Sequence, residues 1–161
     1  MLFLSLLWSF VTVPVIAASP GKGNPNMLKH MKHYSIKADF ADVREDVEMA
    51  ITDRGLVINN VSHIGSMLER TGKVTGSSKR IFLKAVSLEF CSASLSRRMM
   101  EANPHNIVFC PYIISIYVLP EQPDLVYLSY RRPSPVGSAE SKSALVAVES
   151  LLNDIIKDAL D

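Results

Sequence analysis

A broad apolar face on the last predicted helix constrains the fold of this sequence more than any other feature. Ser138 has a side chain suited to the N-cap of a helix, and apolar residues then recur at helical spacing. They are Leu145, Val148, Leu151, Leu152, Ile155, Ile156 and Ala159. A face this wide needs a β-sheet to cover it, so the sequence predicts a helix packed on a sheet.

Alternation of apolar and polar residues predicts the strands of that sheet. The predicted strands are 34–40, 56–61, 86–91, 107–119 and 125–131. Pro111 interrupts the fourth of them, and because proline has no N–H, it must lie at an edge or a bulge. The last two strands are predicted to form a hairpin.

Between the predicted strands, apolar residues recur at helical spacing and predict helices. Asp42 followed by Glu45 resembles a capping box and predicts a helix that ends near Gly55. A short amphipathic turn follows His63, a loop rich in Gly and Ser spans 71–79, and a helix is predicted over 94–102. The order β-α-β-(α)-β-α-β-β-α predicts an α+β domain whose mostly antiparallel sheet has helices packed on one face.

The N-terminal segment predicts export. Residues 2–18 contain no charged side chain, and small residues near Ala17 fit the requirement of a signal peptidase. We therefore expect a signal peptide over 1–18, cleaved near Ala17, a flexible linker over 19–32 and a single domain over 33–161. The protein would then be periplasmic or secreted. The alternative is an uncleaved membrane anchor, since the apolar run is close to the minimum length of a span.

Charge and motifs narrow the classes of function. The chain has 17 basic and 16 acidic side chains and no concentrated basic stripe, so nucleic acid is not an expected partner. It contains no glycine-rich phosphate loop, no Ser-x-Gly nucleophile elbow, no HExxH and no CxxC. These observations favour a binding module over an enzyme.

Three stretches resemble a known family. They are the helix 43–55 with the strand leading to His63, the run Leu88-Glu89-Phe90-Cys91 with a helix ending at Ala102-Asn103-Pro104, and the hairpin from Pro111 to Pro133. Together they resemble domain-of-unknown-function family 302, whose fold is β-α-β(4)-α, similar to half of the TATA-binding fold. The resemblance implies a small dimeric domain with a shallow pocket near the cysteine-containing turn. The family has no established activity. Where many relatives have a second cysteine, this chain has Tyr112.

Cys91 and Cys110 are the two cysteines of the chain. In an oxidising compartment they are candidates for a disulfide. They could equally be two inert buried thiols, because free cysteine packs as a small apolar residue. A third hypothesis is that Cys91 is a reactive or sulfur-carrying thiol. It precedes a predicted helix, and the N-terminus of a helix can lower a thiol pKa and favour the thiolate.

Three further residues are candidates for ligand binding. His63 follows a strand, where an imidazole could bind a ligand, a metal or a proton, or could simply cap the next helix. Glu89 shares a strand face with Cys91, so it could line a pocket or a dimer contact. Tyr112 lies beside Cys110 and is expected in the same region.

Two other clusters are candidates for ion binding. The N-terminal cluster, Met27, His30, Met31 and His33, offers soft ligands suited to Cu(I), although the same stretch could be a solvated linker. Arg97, Arg98, Arg131 and Arg132 would form an anion site if their helix and hairpin converge, or would be solvated surface side chains.

These observations predict an exported, non-enzymatic binding module that works as a homodimer joined through sheet edges or the exposed sheet face. Its ligand would be a small molecule, a metal or an envelope redox protein, and no membrane contact is expected after signal cleavage. No specific cofactor is implied. The alternatives are a thiol-based redox or sulfur-handling protein that uses Cys91, and a periplasmic copper-binding protein.

Overall fold

A computed structural model describes residues 29–161, which contain five strands and four α-helices. The strands are β1 (Met31–Ile36), β2 (Val57–Ser62), β3 (Lys84–Cys91), β4 (Tyr112–Leu119) and β5 (Gln122–Arg131). The α-helices are α1 (Phe40–Thr52), α2 (Ile64–Thr75), α3 (Ala93–Ala102) and α4 (Ala139–Asp158), and a 3-10 helix covers Pro104–Phe109. The predicted signal peptide and most of the predicted linker lie outside the described residues. Within residues 29–161 no helix is both long and apolar enough to cross a membrane.

The strands form one sheet in the order β1-β5-β4-β3-β2, and every neighbouring pair is antiparallel. β1 and β2 are the two edges, and α1 carries the chain from one edge to the other. The predicted α+β class and element order are confirmed.

The hydrophobic core lies between one face of the sheet and the helices α1, α3 and α4. Alternate residues of β3, β4 and β5 point into it, as their burial pattern shows. From α4, Leu145, Val148, Leu152, Ile155 and Ile156 are buried. Each such side chain contributes about 1.5–3 kcal/mol when fully buried, so the packing of α4 is a major source of stability.

The first strand and helix differ from the sequence prediction. The strand ends at Ile36 rather than at Phe40, and α1 begins at Phe40. The reason is Asp39, whose carboxylate accepts a hydrogen bond from the N–H of Ala41 and caps the helix in place of the predicted Asp42. β1 also begins at Met31, two residues inside the segment predicted as linker.

Two later predictions also need correction. The predicted strand over 107–119 begins only at Tyr112, because the preceding residues form the 3-10 helix that ends at Phe109. The helix after His63 extends to Thr75, so the predicted loop over 71–79 loses its first five residues to α2. Gly76, with φ of 71°, ends that helix in the left-handed region that favours glycine.

On the opposite face of the sheet, aromatic rings from β1, β4 and β5 cover one another. His33 stacks on Tyr127 with ring centroids 5.0 Å apart, and Tyr127 stacks on Tyr117 at 5.4 Å. Burial lowers the pKa of His33 below its usual value. This part of the face is therefore partly closed by its own side chains.

A buried amide fixes the 3-10 helix to α3 and α4. The Nδ2 of Asn106 donates to the carbonyl oxygen of Met99 at 2.9 Å and to the hydroxyl of Ser141 at 2.8 Å. Asn106 is 3% exposed, so water cannot replace either bond.

We expect Asn106→Ala to destabilise the protein by about 2–3 kcal/mol, since it removes two buried hydrogen bonds and the packing of the amide. Denaturant unfolding measures the change. The matched control is Asn59→Ala, at an exposed position, with an expected change within about 0.5 kcal/mol. Equal effects of the two substitutions would contradict a structural role for Asn106.

Candidate functional site

At one end of the sheet, the neighbouring strands β4 and β5 are not paired with each other. Their register pairs stop at Ser115–Ser129, although β4 begins at Tyr112 and β5 continues to Arg131. On either side of this gap the outer pairs continue. β3 pairs with β4 as far as Phe90–Tyr112, and β1 pairs with β5 as far as Met31–Arg131. We call this gap between the ends of β4 and β5 the fork.

A cavity of about 330 Å³ lies at the fork. Its lining combines strand residues with the turn before β4, the segments flanking β1 and β5, and one residue of α4. The lining residues are His30, Met31, Phe109, Pro111, Tyr112, Ile113, Ser115, Ser129, Tyr130, Arg131, Pro133 and Leu152. The volume is at the lower end of the range of about 300–1,000 Å³ that is typical of small-molecule sites.

Tyr130, one of the lining residues, has an unsatisfied hydroxyl. The residue is 3% exposed, and among the described residues its hydroxyl is the one buried side-chain polar atom without a hydrogen-bond partner. Burial raises the pKa of Tyr130, and the nearby Tyr34 hydroxyl acts in the same direction although it makes no well-aligned hydrogen bond with Tyr130, so the Tyr130 hydroxyl keeps its proton at neutral pH. Buried polar groups of this kind are rare and call for an explanation. The neighbouring Tyr34, by contrast, donates its hydroxyl proton to Asn153.

The exposed part of the lining carries positive charge. Arg131 is exposed, and no carboxylate of residues 29–161 lies within ion-pair distance of it. The next residue, Arg132, pairs with Glu149 at 2.7 Å. His30 is also exposed and lines the same cavity. The apolar lining is therefore joined to a cationic group that can attract an anion.

The two cysteines lie together beside this cavity. The Sγ atoms of Cys91 and Cys110 are 2.8 Å apart, and both residues are free thiols of intermediate exposure. Cys110 stands between Phe109 and Pro111, which line the cavity, and the peptide bond to Pro111 is cis. The hydroxyl of Ser96 lies 3.6 Å from the Cys110 sulfur and 3.1 Å from the Tyr112 hydroxyl.

The environment of Cys91 favours the protonated thiol. Burial, together with the hydrogen bond to Cys110, raises the pKa of the Cys91 thiol to about 11. The backbone of Tyr112 and the hydroxyl of Ser96 act in the opposite direction but do not offset this. The sequence suggested that the start of α3 lowers this pKa. The net change is in the other direction, and loss of solvation is its largest cause.

Of the four predicted ligand-binding residues, Tyr112 alone lines the cavity, and Cys91 lies in the adjacent thiol pair. Glu89 lies elsewhere, where its carboxylate accepts hydrogen bonds from Asn60 at 3.0 Å and Ser62 at 2.9 Å across the β2–β3 pair. His63 is exposed at the N-terminus of α2 and makes no side-chain capping bond.

Of the two predicted ion-binding clusters, three of the four arginines have separate partners, and the N-terminal cluster lies only partly within the described residues. Arg97 pairs with Glu101 at 2.7 Å, and Arg98 donates to Ser143 at 2.8 Å, so each has its own partner. Of the N-terminal cluster, Met27 lies outside the described residues, and His33 belongs to the aromatic stack. Across residues 29–161, no group of three or more His, Cys, Asp or Glu side chains is arranged to hold a metal ion.

Sequence reasoning missed Tyr130 as a site residue, and it placed Arg131 in a cluster that does not form. Neither side chain is unusual in the sequence. They are candidates because β4 and β5 stop pairing with each other at Ser115–Ser129. Alternation of apolar and polar residues predicts a strand, but it does not show where the pairing of two strands ends. Pro133, Pro135 and Gly137, which follow Arg132, are the signal in the sequence that the strand stops there.

Comparison with known proteins is consistent with this architecture. The family described as "Domain of unknown function DUF302" matches residues 32–160. The crystal structure of an uncharacterized conserved DUF302 protein from Bacillus stearothermophilus has the same fold, with a TM-score of 0.67 and 14% sequence identity. The match covers 81% of this chain and 98% of that one. No curated protein matches this sequence. The domain that carries the fork cavity therefore belongs to the DUF302 family.

Proposed function

We propose that this protein is an exported, non-enzymatic binding module that holds a small aromatic anion in the fork cavity. The observation that carries the proposal concerns Tyr130, a residue of the cavity lining whose buried hydroxyl has no hydrogen-bond partner among residues 29–161. A buried donor without a partner costs about 1–3 kcal/mol, and a ligand acceptor atom would remove that cost.

The lining supports the ligand class. Phe109, Pro111 and Ile113 supply accessible apolar and aromatic surface, which favours a flat apolar body. Arg131 supplies an exposed positive charge that no carboxylate of residues 29–161 pairs with, which favours a carboxylate or sulfonate group. Few convergent polar groups in an otherwise apolar lining are typical of binding sites that fix the orientation of a ligand.

The two alternative functions have less support. A catalytic thiolate at Cys91 is disfavoured by a pKa of about 11, since a thiol with that pKa is almost wholly protonated at neutral pH. Copper binding would rest on Met27, His30, Met31 and His33. In this cluster His30 and Met31 line the cavity, whereas His33 contacts Tyr117 and Tyr127.

The predicted homodimer remains a proposal. Apolar side chains close to the cavity support it, because Ile107, Val108 and Ile113 are 61%, 66% and 38% exposed. Exposed apolar groups of this kind are typical of surfaces that contact another protein. The edge strands β1 and β2 are the other candidate contacts.

Tyr130→Phe tests whether the Tyr130 hydroxyl binds the ligand. With anilinonaphthalene sulfonate, a fluorescent aromatic anion, as the probe, we expect Tyr130→Phe to weaken binding about three- to tenfold, since one ligand hydrogen bond is lost. The same substitution should leave thermal stability unchanged or raise it, because an unpartnered buried hydroxyl is removed. Fluorescence titration and thermal unfolding measure the two quantities.

Tyr127→Phe is the matched control. Its hydroxyl donates to Gln122 and it does not line the cavity, so we expect stability to fall by about 0.5–1.5 kcal/mol while probe affinity stays the same. If Tyr130→Phe instead lowers stability and leaves probe affinity unchanged, the Tyr130 hydroxyl does not serve a ligand.

Arg131→Gln tests the anionic part of the ligand. We expect it to weaken binding of the sulfonate probe about five- to tenfold, and the loss should shrink at high salt because exposed charges are screened. Arg70→Gln, on the exposed surface of α2, removes the same charge from a position outside the cavity lining and should change the affinity little. Equal effects of the two variants would mean that only net charge matters.

Export is tested by the intact mass of the protein recovered from the periplasm. We expect the mass of a chain that begins at Ala18, because the signal peptidase should cut after Ala17. Recovery of the uncut chain in the membrane fraction would support the anchor instead.

A further inference from the structure

We propose that Cys91 and Cys110 form a reversible disulfide that regulates ligand affinity at the fork cavity. This inference rests on the proposed binding function, because it assigns a control element to the same site. It adds a modification site that the binding function does not require.

The geometry places the two thiols for this reaction. Their sulfur atoms are 2.8 Å apart, less than about 1 Å beyond the bonded distance of about 2.05 Å. Both residues are of intermediate exposure, so a soluble disulfide can reach them. They are 19 positions apart in the chain, and the segment between them contains α3 and the 3-10 helix.

The contacts of Cys110 connect the thiol pair to the cavity. Its two neighbours in the chain, Phe109 and Pro111, line the cavity. A third connection runs through Ser96, whose hydroxyl contacts both the Cys110 sulfur and the Tyr112 hydroxyl. Cys91, in contrast, is held at the end of β3, where it pairs with Val57 of β2. A bond between the sulfurs therefore ties the turn 109–111 to the sheet.

The chemistry is thiol–disulfide exchange. One cysteine sulfur, after losing its proton to solvent, attacks an external disulfide and forms a mixed disulfide, and one external thiolate leaves. The second cysteine sulfur loses its proton and displaces the other external thiolate. The external thiolates take up the two protons, so the protein loses two electrons and two protons while one disulfide becomes two thiols.

The oxidised form should bind ligand more tightly. In the dithiol form the turn 109–111 is held to β3 by a hydrogen bond between the two thiols, whereas the disulfide fixes it covalently. A lining that is already ordered loses less conformational entropy when the ligand binds. We expect the disulfide form to bind the probe at least about fivefold more tightly, the lower end of ordinary coupling between sites.

The test uses the purified protein in buffers of oxidised or reduced glutathione. Intact mass after alkylation under denaturing conditions reports the disulfide, and fluorescence titration with anilinonaphthalene sulfonate reports binding. We expect oxidised protein to lose the mass of two hydrogen atoms, gain no alkyl groups and return to the dithiol on reduction. Cys91→Ser is the control, since Cys91 does not line the cavity, and its affinity should be the same in both buffers.

Each other outcome overturns a distinct part of the proposal. Two alkyl additions in oxidised glutathione, or a persistent glutathione adduct, would exclude the disulfide and leave the binding function standing. A disulfide that forms without changing affinity would exclude the regulation. If the probe binds neither form, the binding function fails and its regulation with it, whatever the mass shows. If Cys91→Ser keeps the buffer dependence, the effect does not come from this bond.

Discussion

The packing of α4 against the sheet is the interaction on which the rest of this structure depends. At the fork, no ladder pair joins β4 to β5, so the two halves of the sheet are not tied together there by backbone hydrogen bonds. Helix α4 packs its buried face against both halves, and its Leu152 reaches the cavity lining. Apolar packing thus allows the sheet to open without losing its shape, because burial is non-directional and does not require strand pairing.

The gap between the ends of β4 and β5 explains why a cavity lies at this end of the sheet. Paired strands leave no room for a ligand between them, whereas the unpaired ends of β4 and β5 leave a cavity whose lining includes the buried Tyr112 and Tyr130. The segments that close the cavity come from outside the sheet and include Phe109 and Pro111. The cysteine pair holds this same turn, which is why redox chemistry and ligand binding meet at one place.

Much of the fold follows from local patterns, but the site does not. The apolar stripe of α4 and the alternation in β3 predict their elements because side-chain spacing is a local property. The strand predicted over 107–110 fails because Asn106 is held by Met99 and Ser141, contacts that lie far apart in the sequence. The proximity of Cys91 to Cys110 and the isolation of the Tyr130 hydroxyl also depend on tertiary structure. Glu89, which shares a strand face with Cys91, is occupied by cross-strand hydrogen bonds instead.

The most direct test of the central claim is to map the binding site of an aromatic sulfonate by amide chemical-shift changes in solution. The account predicts that shifts concentrate on both sides of the fork, at Tyr112 and Ile113 of β4 and at Tyr130 and Arg131 of β5. Residues of the aromatic stack that lie outside the cavity lining, such as Tyr117, should be unaffected. Shifts centred on that stack, or no saturable shifts at all, would contradict the fork as the binding site.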